Sequence, residues 1–192
     1  MSPILGTIAS QISGRLWTSL LAYDSIASAA PSGTGVVTFS SIPSTYSSLK
    51  IIVTSQSNYT AYNTNCLITF NGDSTNLYGD KAIFTAQDEP PYFYSNNGRN
   101  YMDLCNGVQN GTYMTSGWAV GEIDIPNYAA TDVYKSAQAI WGTNALGYPA
   151  AYLSNASGYW KSTAAINSIT LTTTSGGGNY LAGSRFSLFG VK

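Results

Sequence analysis

Trp118-Ala119-Val120-Gly121-Glu122-Ile123-Asp124-Ile125 alternates residue by residue. In an extended chain Trp118, Val120, Glu122 and Asp124 share one side, and Ala119, Gly121, Ile123 and Ile125 the other. A period of two marks a strand with one packed and one wet face. Leu49-Lys50-Ile51-Ile52-Val53-Thr54-Ser55-Gln56, with its continuous apolar centre, reads as a second strand. Working outward from these, residues 36–39, 66–70, 78–86, 101–104, 133–141, 166–173 and 185–191 give further short strands. Turn sequences cut them apart: Ser40-Ser41-Ile42-Pro43 after the first and Asn71-Gly72-Asp73 after the second. The Gly176-Gly177-Gly178-Asn179 run fits a loose hairpin between the last two. Short strands in such number, without helices between them, predict an all-β antiparallel β-sandwich or barrel. A jelly roll, with about eight strands in two sheets, suits the length best.

The 192 residues suit one domain. Residues 35–192 form the expected β-sandwich, and residues 1–34 an N-terminal arm or short helix ending at the Ala30-Pro31-Ser32-Gly33-Thr34-Gly35 breaker. Ser2-Pro3 suits a helix start, and Ile4, Leu5, Ile8, Ile12 and Leu16 fit one helical face. With Trp17 they are the candidate anchoring residues. Two roles stand open for the stripe: docking on a partner, or covering the body's own sheet.

Charge is scarce. Asp, Glu, Lys and Arg make up 9% of the chain, against about 25% in typical domains, and the net charge is −1. No positive field exists to hold a phosphate backbone, so nucleic acid is not an expected partner. No stretch approaches the roughly 18 apolar residues of a spanning helix, so no membrane is expected either. Met1 to Leu21 lacks the basic start and unbroken apolar block of a secretory signal, and assembly in a cytoplasm is expected. Cys66 and Cys105 form no C-x-x-C pair and read as free thiols. The N-x-[ST] matches at Asn58, Asn110 and Asn155 are expected by chance in a chain this rich in Asn, Ser and Thr.

The chain contains no histidine, which removes the commonest general base and the usual zinc ligand. No nucleophile elbow, phosphate loop or dinucleotide turn is present. Glu122 and Asp124, two apart on one strand face, stand about 6–7 Å from each other, within reach of paired acid chemistry. Alternate polar residues on a half-buried strand are nevertheless its ordinary wet face. Asn71, Asp73 and Asn76 could offer oxygens to calcium, but Asn-Gly-Asp is first a turn. No catalytic residue, cofactor or metal ligand is therefore assigned. The aromatics are the stronger feature: 15 tyrosines, 6 phenylalanines and 4 tryptophans. Phe39, Phe70, Phe186 and Phe189 lie in strand patterns and belong to the core. Tyr92-Phe93-Tyr94, Tyr148, Tyr152 and Tyr159-Trp160 fall outside those patterns, in expected loops. Of these Tyr92, Tyr94, Tyr148, Tyr159 and Trp160 are candidate contacts to a partner subunit or a sugar ring.

Several segments, in order, resemble a family of small virion structural proteins of tailed bacteriophages. They begin with Ile4-Leu5-Gly6-Thr7-Ile8-Ala9-Ser10-Gln11-Ile12-Ser13-Gly14 and Val37-Thr38-Phe39-Ser40-Ser41-Ile42-Pro43. Phe70-Asn71-Gly72-Asp73, Ile123-Asp124-Ile125-Pro126-Asn127-Tyr128 and Gly158-Tyr159-Trp160 follow. Ala165-Ile166-Asn167-Ser168-Ile169-Thr170-Leu171 and the terminal Phe186-Ser187-Leu188-Phe189-Gly190-Val191-Lys192 complete the series. The resemblance implies a jelly-roll-like body with no activity and no cofactor, located on the virion exterior. Members of the family serve variously as fibre, tail-associated or capsid-decorating proteins, so the resemblance leaves the position in the virion open. The expected role is a capsid decoration (cement) protein bound to the major capsid protein, a homotrimer by analogy with the family. The alternative is a fibre- or collar-associated host-recognition module binding a surface glycan. Residues 92–114 match nothing in the family pattern.

Overall fold

Alternating side chains need two surfaces to pack between, and the chain supplies them as two facing sheets. The computed structural model describes residues 22–31, 33–59, 63–86, 90–110, 117–143, 152–174 and 178–192. The larger sheet runs in the order β1 (Tyr23–Ala29), β12 (Arg185–Val191), β3 (Ser48–Ser57), β8 (Ala119–Pro126), β9 (Lys135–Thr143), β10 (Tyr152–Trp160), β5 (Tyr78–Ala86) and β6 (Tyr92–Arg99). The smaller sheet runs β2 (Val36–Phe39), β11 (Ile169–Thr173), β4 (Asn63–Phe70) and β7 (Met102–Asn110). Every pairing within the two sheets is antiparallel. A short parallel contact, Gln56 to Gln109 and Ser57 to Asn110, joins β3 to β7 where the sheets meet. The protein is an all-β sandwich, and the described residues contain no helix.

The core lies between the sheets. Leu49, Ile51 and Val53 on β3, Ile123 and Ile125 on β8, Trp141 on β9, and Phe186 and Leu188 on β12 are fully buried. They meet Ile68, Phe70, Met102, Leu104, Ile169 and Leu171 from the smaller sheet, none more than 1% exposed. Burial of each such side chain stabilises the fold by about 1.5–3 kcal/mol before entropy is charged against it. β8 turns Ala119, Gly121, Ile123 and Ile125 inward, as its alternation predicts. Gly121 stands opposite Trp141 in the β8–β9 ladder. A Cβ there would lie 1.7 Å from the indole, so the largest core side chain rests on bare backbone.

The Asn71-Gly72-Asp73 turn also behaves as read. Asn71 (φ 54°) and Gly72 (φ 68°) occupy the left-handed region between β4 and β5. Asp73 accepts from the Thr75 amide at 2.8 Å and from Trp160 Nε1 at 2.7 Å. Burial pushes the Asp73 carboxyl up, but these donors outweigh it and leave the acid below its usual range. Asn71 Oδ1 accepts from the amides of Asn167 (2.9 Å) and Ser168 (3.2 Å), and Nδ2 donates to the Ala165 carbonyl (2.8 Å). Both side chains are spent on the turn and its neighbours.

Four readings change. β6 and β10 are strands, so Tyr92, Phe93, Tyr94, Tyr159 and Trp160 do not sit in loops. Their Asn, Ser and Gly content reads locally as turn, and sheet pairing overrides that preference. β10 lies between β9 and β5 and is held from both sides. β1 falls inside residues 1–34 yet pairs along its length with β12, so the sandwich begins at Tyr23 rather than after the breaker. β11 and β12 belong to different sheets, which rules out a hairpin between them. Phe189, expected in the core, is only half-buried, on the other face of β12 from Phe186 and Leu188. Residues 1–21, with the whole apolar stripe and Trp17, lie outside the described residues, as does Tyr148.

Candidate functional site

The outer face of the larger sheet carries an ordered pattern. Each register row runs perpendicular to the strands, with neighbouring strands about 4.8 Å apart. One row reads Lys50, Asp124, Gln138, Ser157, Lys81, Ser95 across six strands. The next, two residues along each strand, reads Ile52, Glu122, Ile140, Asn155, Ile83, Phe93. Beyond it stand Val120 and Leu153, on either side of Gly142. The face is therefore divided into a polar end and an apolar end.

At the apolar end, Phe93 is 69% exposed, Leu153 60%, Val120 and Ile140 56% each, Ile52 42% and Ile83 38%. Six large apolar side chains on adjacent strands form one patch, and contiguous patches of this kind mark contact surfaces in a way that scattered exposed residues do not.

At the polar end, a groove of about 440 Å³ is lined by side chains that include Lys81, Asn97, Ser136, Gln138, Ser157 and Tyr159. Tyr159 lies over Gly79, where a Cβ would come within 2.4 Å of its hydroxyl. Its hydroxyl donates to Asn97 Oδ1 at 2.8 Å, and the Lys161 ammonium sits 5.4 Å from its ring centroid. Glu122 and Asp124 do stand on one face, as expected, but Lys50 lies between them. Its Nζ pairs with Glu122 and lies 3.0 Å from Asp124 Oδ1. Burial lowers the Lys50 pKa, the two carboxylates raise it by more, and the net shift is upward. Both carboxylates are about half exposed, and with one ammonium between them the group is a surface triad of net charge −1.

A second cluster lies between the sheets. Asp80 on β5 and Asp103 on β7 are 2% and 8% exposed. Asp80 Oδ2 accepts from Asn96 Nδ2 at 2.8 Å, and Asp80 Oδ1 accepts from the Asp103 amide at 3.3 Å. Asp103 Oδ2 accepts from Asn65 Nδ2 at 2.6 Å, while its Oδ1 is buried without a partner. Burial pushes the Asp103 carboxyl up to about 6, against the Asn65 bond and with help from the Asp80 charge. Asp80 is raised too, chiefly by burial. Sequence reading did not find this pair, because the two residues are 23 apart in the chain and meet only through the fold.

The remaining candidates separate. Trp160 is 2% exposed and stacks 6.1 Å from Tyr78. Its indole bonds Asp73, so it is a core residue and not a surface contact. Tyr94 is half-buried, with its hydroxyl donating to the Asp103 carbonyl at 2.8 Å. Tyr92 is 60% exposed and packs on Phe84 at 5.1 Å, on the face of β6 that carries Tyr94. Of the described candidates, only Tyr159 joins the outer face. Its groove partners on β9 lie in a segment that reads as a strand, whereas Asn97 and Ser157 lie in segments that read as loop.

Cys66 is a buried free thiol, 3.7 Å from the Tyr180 hydroxyl. Among the described residues no group of three or more Cys, Asp or Glu is placed to hold a metal ion.

No family model and no curated protein matches the chain. Among solved structures it is similar, at 8% identity and a TM-score of 0.29, to an engineered GH43 glycoside hydrolase with endo-xylanase and exo-arabinofuranosidase activity. That match covers 76% of this chain and spans 30% of the hydrolase. It is also similar, at 9% identity and a TM-score of 0.32, to the CBM40 of the Ruminococcus gnavus IT-sialidase bound to α2,3-sialyllactose, covering 86% of this chain and 92% of that one. Likenesses this low carry no functional argument.

Proposed function

We propose that the chain is a non-enzymatic structural subunit of a tailed-phage virion, a capsid decoration protein on the particle exterior. It works by packing the outer face of its larger sheet against a neighbouring copy of itself. The observation that carries this reading is the apolar end of that face, where Ile52, Val120, Ile140, Leu153, Ile83 and Phe93 lie together and exposed. A second copy is the fitting occupant. The net charge is −1, so copies accumulate little repulsion, and Lys50 offsets one of the two carboxylate charges at Glu122 and Asp124. Ile4, Leu5, Ile8, Ile12, Leu16 and Trp17 are the proposed anchor to the major capsid protein.

Strand order supports a jelly-roll type of winding. β2-β11-β4-β7 form one sheet, and β3-β8 and β5-β6 stand in the other with β9-β10 inserted between them. The virion assignment itself rests on the sequence resemblance. Mass measurement in solution tests the packing: the purified chain is expected as a trimer, and Ile140→Glu with Leu153→Glu as a monomer of unchanged fold. A wild-type monomer at assembly concentrations would remove the packing role.

A further inference from the structure

We propose that the polar end of the same face is a binding groove for an acidic saccharide, a sugar chain bearing carboxylates. This goes beyond the packing role and uses different residues.

Three features of the groove point to this ligand. First, its polar wall is made of neutral donors and acceptors. Gln138, Ser136, Ser157 and Asn97 present amides and hydroxyls to one space of about 440 Å³, the chemistry that pairs with sugar hydroxyls. These side chains project from β6, β9 and β10, inside a paired sheet, so their spacing is fixed before any ligand arrives.

Second, Tyr159 supplies an aromatic wall that is held in place. Its ring lies on the Cβ-less backbone of Gly79, and Asn97 ties its hydroxyl. An aromatic with an apolar body and a polar tip suits the apolar face of a pyranose ring.

Third, one cation lines this space and another borders it beside Tyr159, neither in an ion pair among the described residues. Lys50 and Lys192 are ion-paired within the chain. Lys81, which lines the groove, and Lys161, over the Tyr159 ring, make no ion pair among the described residues. Two carboxylates also line the groove: Asp80, buried and bonded to Asn96 and the Asp103 amide, and Asp124, at the lip and paired with Lys50. A site with free ammonium groups favours an anion, and in a chain with so few charges two of them at one groove set its preference.

The test is binding of the full-length protein to polygalacturonate and alginate, with dextran as the neutral control, by isothermal calorimetry. Acidic polymers are expected to bind, and dextran not to. Lys81→Ala and Gln138→Ala, both at exposed positions, are each expected to weaken binding about tenfold or more with an unchanged melting temperature. Gly79→Ala, which displaces the Tyr159 ring, is expected to abolish it. Ile140→Glu, at the other end of the face, is expected to bind as wild type, which keeps failure of the packing role distinct from failure of this one. Absence of binding to all three polymers would overturn the proposal. So would equal binding to dextran, or affinity for the acidic polymers that Lys81→Ala leaves unchanged.

Discussion

Asp103 is the residue at which the fold pays most heavily in electrostatics. It is buried, one carboxylate oxygen has no donor, and Asp80 adds a second acid to the same space. An aspartate in the unfolded chain titrates near 4, whereas folded Asp103 titrates at about 6. Between those values the folded state keeps a proton that the unfolded state has released. Stability therefore falls as pH rises from about 4 to about 6 and levels off above, by roughly 2–3 kcal/mol for this group. Asp80, raised as well, acts in the same direction. Asp73, whose carboxyl is lowered, acts in the opposite direction, but its contribution is lost only as pH drops below the ordinary aspartate range. Urea midpoints measured from pH 4 to pH 7.5 are expected to fall through the window. Asp103→Asn should flatten the slope and raise the midpoint at pH 7.5. A midpoint that climbs across the window would contradict this account of the pair.

Within the elements, backbone proximity decides what is tolerated. Trp141 rests directly on Gly121, so Gly121→Ala forces the indole or β8 to shift. A cost of about 1–3 kcal/mol is expected from chemical denaturation, typical of overpacking a filled core. Asn71 is the matching case in a turn. Its side chain holds residues 165–168 through three bonds, and Asn71→Ala is expected to cost about 1–2 kcal/mol, because three backbone groups, two of them in part-buried bonds, lose their partners. These elements also show what the sequence could convey. β3, β8 and β12 were legible because Ile, Val, Leu and Phe alternate or cluster in them. β10 was not, because Tyr-Leu-Ser-Asn-Ala-Ser-Gly-Tyr-Trp owes its conformation to pairing with β9 and β5. β6 failed for the same reason, with Asn96, Asn97 and Gly98 inside a strand. The groove was only partly legible as a result. Tyr159 was singled out for its aromatic surface, but Asn97 and Lys81 reach it through the β5–β6 and β5–β10 ladders, which no local pattern reveals.

Taken whole, the molecule is a sandwich whose larger sheet leaves its outer face uncovered among the described residues. The smaller sheet seals the inner side, and the outer side is left divided between an apolar end and a polar groove. That division gives the two proposals separate addresses on one surface. Self-association through the apolar end involves little charge, so it should persist in high salt, with sedimentation in low and high salt as the check. Acidic-saccharide binding at the groove should weaken under the same change. The central claim, that the outer face of the larger sheet is a contact between copies on a virion, is tested most directly by cryo-electron microscopy of the intact particle. The account predicts density for this sandwich repeating over the icosahedral shell, with Ile140, Leu153 and Phe93 buried against a neighbouring copy. Density confined to the tail or fibre tips, or a shell lattice in which that face points into solvent, would contradict it.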